Sequence, residues 1–129
     1  PVVLRFTYAI IPKKNAHRIG HAKDGRAYQY RKQTAIDSEY NVWWEARQQF
    51  NKLPVRRARG PVRVEAVYRK TQADCIGLQE TVLDGLQGIV YEDDAQVVEQ
   101  SSRWEREGEL PAGVTAIVAC TILEPGVVS

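Results

Sequence analysis

The run that most limits the fold is residues 113–123, which read GVTAIVACTIL. Its β-branched residues favour an extended strand, and apolar side chains occupy both alternating positions. A strand that is apolar on both faces is typical of the middle of a sheet, where both faces are covered. This segment is therefore predicted to be a central strand.

The first half of the chain predicts two strands followed by a helix. Residues 2–10 are rich in β-branched and aromatic residues, which indicates a strand ending before Pro12. Residues 15–25 predict a hairpin or an open loop, and residues 26–30 predict a second short strand. Thr34 or Asp37 can cap a helix that runs to about Phe50. The helical spacing is marked by Ile36, Tyr40, either Trp43 or Trp44, and either Gln48 or Phe50.

The second half predicts a strand, a helix and two more strands. Residues 62–68 alternate as a half-buried strand does, and a helix is expected from about Ile76 to Gln87, followed by Gly88. The apolar face of that helix comprises Leu78, Val82, Leu83 and Leu86. Residues 95–101 predict a strand that precedes the central one. The order β, β, α, β, α, β, β predicts one α+β domain over residues 1–129, with a mixed sheet and two main helices packed on it.

Composition indicates a soluble globular protein. The chain is 43% hydrophobic and 26% charged, and it has no apolar run near the roughly 20 residues that span a bilayer. Cys75 and Cys120 lie far apart and lack the spacing of a metal site, which favours reduced thiols in a cytoplasmic protein. His17 and His21 have no third ligand nearby, so a zinc site is not expected.

Charge divides the chain into two opposite halves. Residues 1–72 contain 16 Lys and Arg and 5 Asp and Glu, whereas residues 73–129 contain 2 and 11. A basic half suits a polyanion such as DNA, and it equally suits a surface paired with the acidic half of the same or another subunit. The candidate phosphate contacts are Lys13, Lys14, Arg18, Arg56, Arg57, Arg59, Arg69 and Lys70.

Carboxylates bracket the second predicted helix. Asp74 precedes it, Glu80 and Asp84 lie one turn apart on it, and residues 92–94 (EDD) follow it. Such a bracket can bring carboxylates to one point, which is what a divalent metal requires. The alternatives are that Asp74 caps the helix and that Glu80 and Asp84 are ordinary solvated residues.

The bracketed stretch resembles the RusA family of Holliday junction resolvases, small dimeric endonucleases that cut four-way DNA junctions. Members show Asp-x-Asp-Asn-x-x-Lys at the start of a helix, then an Asp-Ala/Gly-Leu step and an Asp-Asp-x-Gln-Val/Ile sequence. This chain supplies Asp74, residues 83–86 (LDGL) and residues 93–97 (DDAQV) in the same order and at nearly the same spacing. Residues 11–15 (IPKKN), after the first strand, also resemble the family.

The resemblance implies a RusA-like fold, a homodimer, branched DNA as partner, and Mg²⁺ or Mn²⁺ as cofactor. It implies neither an organic cofactor nor a membrane. Asp74 and Asp94 match metal-binding catalytic positions of the family, and either Glu80 or Asp84 is a candidate substitute for a missing ligand.

Three positions depart from the family pattern. Ile76, Gly77 and Glu80 stand where members have Asp, Asn and Lys. These departures leave two alternatives to a working nuclease: a junction-binding protein that has lost cutting, and a protein-interaction module whose charged halves pair between subunits.

Overall fold

The computed structural model of the chain describes residues 1–12, 17–21, 27–31 and 33–123, with side chains described for residues 1–12 and 36–123. It is a single α+β domain with a mixed four-stranded sheet, a separate two-stranded hairpin and two helices. The strands are β1 (Val2–Phe6), β2 (His17–His21), β3 (Ala27–Arg31), β4 (Val62–Tyr68), β5 (Val97–Trp104) and β6 (Ala116–Ile122), and the helices are α1 (Gln33–Phe50) and α2 (Cys75–Leu86).

The predicted central strand is central. β6 lies between β1 and β4 in the sheet order β1-β6-β4-β5 and pairs antiparallel with both. Val118 lies opposite Leu4 on one side and Ala66 on the other. Val118 and Cys120 are fully buried, and burial raises the pKa of the Cys120 thiol to about 12.

Both helices pack on one face of the sheet, and the buried face of α2 is the predicted one. Leu78, Val82 and Leu86 are buried at one-turn spacing, and Leu83 packs partly against the core. Gly88 follows the helix with a φ of +87°, the left-handed conformation that favours glycine after a helix end.

The predicted face of α1 is right only in part, since Phe50 is buried and Trp43 packs partly against the core. Ile36, Tyr40 and Trp44 are exposed, whereas the buried stripe comprises Ser38, Val42, Ala46 and Phe50. The reason is the close contact between the helices, because a Cβ atom added to Gly85 of α2 would lie 2.5 Å from Val42 Cγ1. Small side chains face this contact, and the larger aromatic rings remain at its edge.

Several strand boundaries differ from the predicted ones: β3 begins at Ala27, β5 extends to Trp104, and β6 covers only Ala116–Ile122 of the predicted 113–123. The causes are local at two further boundaries. β1 ends at Phe6 instead of residue 10, because the Glu45 carboxylate accepts hydrogen bonds from the backbone N–H groups of Thr7 and Tyr8. β5 begins at Val97 instead of residue 95, because Asp94–Gln96 forms a 3₁₀ turn.

The connection from β4 to β5 sets the positions of the acidic residues. β5 runs parallel to β4, and α2 lies between them in sequence. A parallel connection must return the chain to the starting end of the first strand. α2 therefore begins near the end of β4 and ends near the start of β5. Neither described helix is long and apolar enough to cross a membrane.

Candidate functional site

Asp74 is the N-cap of α2. Its backbone is extended, and its Oδ1 accepts a hydrogen bond from the Gly77 N–H at 2.5 Å. An N-cap carboxylate satisfies a helix N–H that has no partner within the helix and places negative charge at the positive end of the helix. The cap interpretation of Asp74 therefore has a direct geometric basis.

The acidic turn after α2 is held together by Asp93 and Gln96. The Asp93 carboxylate accepts from the Ala95 N–H at 2.9 Å, and Gln96 Oε1 accepts from the Asp93 N–H at 2.9 Å. The Asp93 carboxylate also accepts from the Gln96 N–H, which completes a reciprocal capping box between Asp93 and Gln96. Within the sequence that resembles the RusA family, Asp93 and Gln96 thus stabilise the turn.

Gln96 also joins the acidic turn to a basic loop, residues 54–60. Its Nε2 donates to the backbone carbonyls of Ala58 and Gly60, each at 2.9 Å. The Ala58 N–H in turn donates to Val90 O at 2.7 Å. The buried Ala58 thereby fixes the loop between the end of α2 and the start of β5.

Asp74 and Asp94 lie at opposite ends of α2. The helix has 12 residues, which corresponds to about 18 Å at 1.5 Å per residue. Asp74 directly precedes this helix on the side where β4 ends, whereas Asp94 begins the 3₁₀ turn that leads into β5, on the side where β4 starts. Ligands of one Mg²⁺ ion each lie about 2.1 Å from it. The structure therefore does not bring Asp74 and Asp94 of one subunit to a common ion.

Asp84 is closer to Asp94 than Asp74 is. Asp84 lies in the last turn of α2, and its charge contributes to raising the pKa of Asp94. The largest cause of that raised pKa is a hydrogen bond with the Asp93 carboxyl. The pKa of Asp93 itself is lowered, first by the hydrogen bond from Ala95 and then by the one with Asp94. Asp84, Asp93 and Asp94 thus form an acidic patch at the end of α2.

The buried Tyr91 lies beneath this acidic patch. Its hydroxyl donates to Leu83 O at 2.6 Å, and its pKa is raised, mainly by burial and further by Cys120, Asp84 and Asp94. Tyr91 therefore remains a neutral hydrogen-bond donor that fixes the end of α2.

The residues do not fit the metal site that the resemblance implies. Glu80 is exposed in the middle of α2, one turn before Asp84 and away from the cap formed by Asp74. Within the described part of the chain, no group of three or more His, Cys, Asp or Glu side chains can hold a metal ion. Of the predicted set, Asp84 and Asp94 lie near each other at the end of α2, whereas Asp74 lies at the opposite end of the helix and Glu80 lies between them.

The positions that depart from the family pattern have specific environments. Ile76 is 67% exposed, so an Asp there would meet solvent. A Cβ atom at Gly77 would lie 2.8 Å from Pro12 Cβ, so an Asn there would require the packing of Pro12 to change. The glycine allows residues 11 and 12 to approach α2, where Ile11 O accepts a hydrogen bond from Thr81.

Three of the predicted phosphate contacts extend from the basic loop. Arg56, Arg57 and Arg59 are exposed around a surface depression of about 420 Å³, which Ile122 also lines. In the described residues, none of the three guanidinium groups forms an ion pair with a carboxylate. The loop therefore offers three positive charges on an anchored backbone.

The remaining predicted phosphate contacts have other environments or lie outside the described residues. The Arg69 guanidinium donates to Val114 O and Pro111 O and pairs with Glu105 at 3.2 Å. Lys70 Nζ lies 4.6 Å from the centre of the Trp104 ring, a cation–π contact. Lys13 and Lys14 lie outside the described residues, and Arg18 belongs to β2 with a side chain outside them.

Ion pairs connect the two charged halves of the sequence. Arg63 pairs with Glu99 at 2.7 Å, and Arg69 pairs with Glu105. Part of the charge opposition is thus satisfied inside one subunit, as one of the alternatives expects. The three arginines of the basic loop remain outside these pairs.

Gln96 is the structural residue that the sequence analysis missed. Asp93-Asp94-Ala95-Gln96 has the spacing of a capping box, which is a local signal in the sequence. The second role of Gln96, bonding to the main chain of the basic loop, depends on a contact across 36 residues and has no local signal.

The chain matches no protein-family model, and no curated protein is similar to it at a significant level.

Proposed function

We propose that this chain is a RusA-like homodimeric protein that binds branched DNA and is impaired in cutting it. The observation that carries the proposal is the basic loop. It presents Arg56, Arg57 and Arg59 to solvent on a backbone that Gln96 and Val90 hold in place. Exposed guanidinium groups that pair with no described carboxylate suit phosphate, and the anchored loop reduces the ordering of the backbone that binding requires.

The impairment rests on the positions of the acidic residues. A nuclease of the implied kind needs its carboxylates around the same ion, beside the phosphate that is cut. Here Asp74 caps one end of α2, and Asp94 follows the other end. Glu80 cannot replace the lysine of the family pattern. A lysine would neutralise charge on the phosphate, whereas the Glu80 carboxylate would repel the phosphate.

A binding assay tests the proposal. Wild-type protein is expected to bind a four-way junction more tightly than a linear duplex, with affinity that falls as salt rises. Replacing Arg56, Arg57 and Arg59 by Gln should weaken binding and reduce the slope of log K against log salt by roughly 0.9 for every phosphate that is no longer neutralised. The matched control replaces the exposed Arg5, Arg47 and Arg106 by Gln, which removes the same charge elsewhere.

The possible outcomes separate the hypotheses. Equal loss of binding in the two triple variants would show that net charge, and not the loop, attracts DNA. Absence of junction binding in the wild type would favour the protein-interaction module. Paired nicks in the junction that require Mg²⁺ or Mn²⁺ and disappear in Asp74→Asn would contradict the proposed impairment.

A further inference from the structure

The two edges of the four-stranded sheet differ. On the β1 edge, Gln49 Oε1 accepts from the Arg5 N–H at 2.8 Å, and Gln49 Nε2 donates to Arg5 O at 2.6 Å. Glu45 accepts from the next free N–H, that of Thr7. Side chains of α1 thus occupy the main-chain groups that another strand would need, and this edge is closed.

In the described part of the chain, the β5 edge is open. Apart from its hydrogen bonds to β4, the main chain of residues 98–103 forms one hydrogen bond with the described side chains. Its acceptor is the Ser101 carbonyl, 3.3 Å from Gln79 Nε2. Val98, Glu99, Gln100 and Ser101 are exposed. An uncovered edge of this length is a template for another strand.

The sequence of β5 is complementary to itself. It reads VVEQSSRW, and antiparallel pairing centred on Ser101 places Glu99 opposite the partner's Arg103. The same register places Gln100 opposite the partner's Ser102. Directly opposite residues of an antiparallel pair share a face and are close neighbours, and opposite charges there are favourable. Twofold symmetry produces each contact twice.

Ion pairs already present beside β5 would continue the pairing of opposite charges across the axis. Glu99 is bonded to Arg63 at 2.7 Å, and Arg103 is bonded to Glu109. Pairing in the proposed register would therefore join two existing ion pairs into a row of alternating charges that crosses from one subunit to the other. Glu99, Ser101 and Arg103 lie on the sheet face opposite to the buried partners of β4, so α2 does not obstruct this row.

We propose that two copies of this chain associate through antiparallel pairing of their β5 strands about a twofold axis at Ser101. The result is one continuous sheet of eight strands, four from each copy. This inference specifies the interface of the homodimer in the proposed function. It is tested without DNA, so its failure is distinguishable from a failure of DNA binding.

A charge exchange between two variants tests the register. In Glu99→Arg, and separately in Arg103→Glu, like charges meet across the axis. Each variant alone should dimerise about tenfold or more weakly than wild type, measured by sedimentation velocity. An equimolar mixture of the two should recover dimer formation relative to either variant alone, because every introduced charge then faces its opposite across the axis. Recovery also shows that both variants fold.

A cysteine variant tests the position of the axis. Ser101→Cys places two thiols opposite each other, and the Cα separation in an antiparallel pair, about 4.5–5.5 Å, falls within the range that a disulfide spans. Mild oxidation should give a covalent dimer. Ser102→Cys should not, because that residue faces the partner's Gln100. A monomeric wild type, a mixture without recovery, or equal cross-linking of the two cysteine variants would overturn the inference.

Discussion

Replacing Asp74 distinguishes a helix cap from a metal ligand. Asp74→Ala removes the acceptor of the Gly77 N–H, which is 2.5 Å from Asp74 Oδ1. Loss of such a cap costs about 0.5–2 kcal/mol, and loss of a negative charge at a helix N-terminus costs about 0.3–1 kcal/mol. The first turn of α2 also carries the buried Leu78, so fraying there would expose the core. We expect a decrease of about 1–2.5 kcal/mol in the free energy of unfolding.

Asp74→Asn is the matched variant, because it keeps an oxygen acceptor and loses only the charge. Asparagine caps helices as well as aspartate does, so the expected decrease is confined to about 0.3–1 kcal/mol. Urea denaturation measures both variants, and an unchanged slope with urea shows that the shift in midpoint reports stability.

A Mg²⁺ titration completes this experiment. If Asp74 were a metal ligand, millimolar Mg²⁺ would stabilise the wild type and leave both variants unaffected, since a ligand of the native state adds RT ln(1 + [L]/Kd) to its stability. Equal destabilisation by Ala and Asn, together with this dependence on Mg²⁺, would refute the argument that Asp74 acts as a cap.

Three other substitutions test separate contacts. Gly85→Ala should lower the free energy of unfolding by about 1–3 kcal/mol in urea denaturation, because its methyl group would lie 2.5 Å from Val42 Cγ1; a stabilised variant would show that helix propensity outweighs the contact. Arg103 holds the pKa of Glu109 at about 2, below its ordinary 4.5. The stabilisation that Glu109 contributes through this pair is therefore present above about pH 4.5 and lost as pH falls towards 2. In urea denaturation, the difference in unfolding free energy between wild type and Glu109→Gln should shrink over that interval. A difference independent of pH would contradict the pairing. Gln96→Ala should weaken junction binding in the same assay used for the arginine variants, and unchanged affinity would show that the basic loop keeps its shape without this side chain.

The architecture follows closely from hydrophobic periodicity. Residues 113–123 are apolar on both faces, and β6 is central, while the stripe through Leu78, Val82 and Leu86 gives the buried face of α2. These predictions succeed because each depends on a local pattern.

The helix α1 was predicted correctly, but its buried face was predicted only in part, because Ile36 and Tyr40 of the expected stripe are exposed. Tyr40 and Trp44 are largely exposed, and the contact face depends on a glycine in another helix. Large apolar side chains commonly remain partly exposed, so residue type alone did not determine the face.

The acidic residues show why the order of a motif does not establish a site. Asp74 and Asp94 both flank α2, and their order along the sequence was the basis for expecting a shared metal. Their distance, however, depends on the path of the chain. In a hairpin, the two flanks of a connecting segment meet at one edge. In the parallel connection from β4 to β5, they are separated by the length of the helix. The side chains that do meet across this connection are those of the end of α2, the acidic turn and the basic loop, joined by Gln96. A function that needs the acidic turn beside the basic loop is therefore located at that end of the sheet, and not at Asp74.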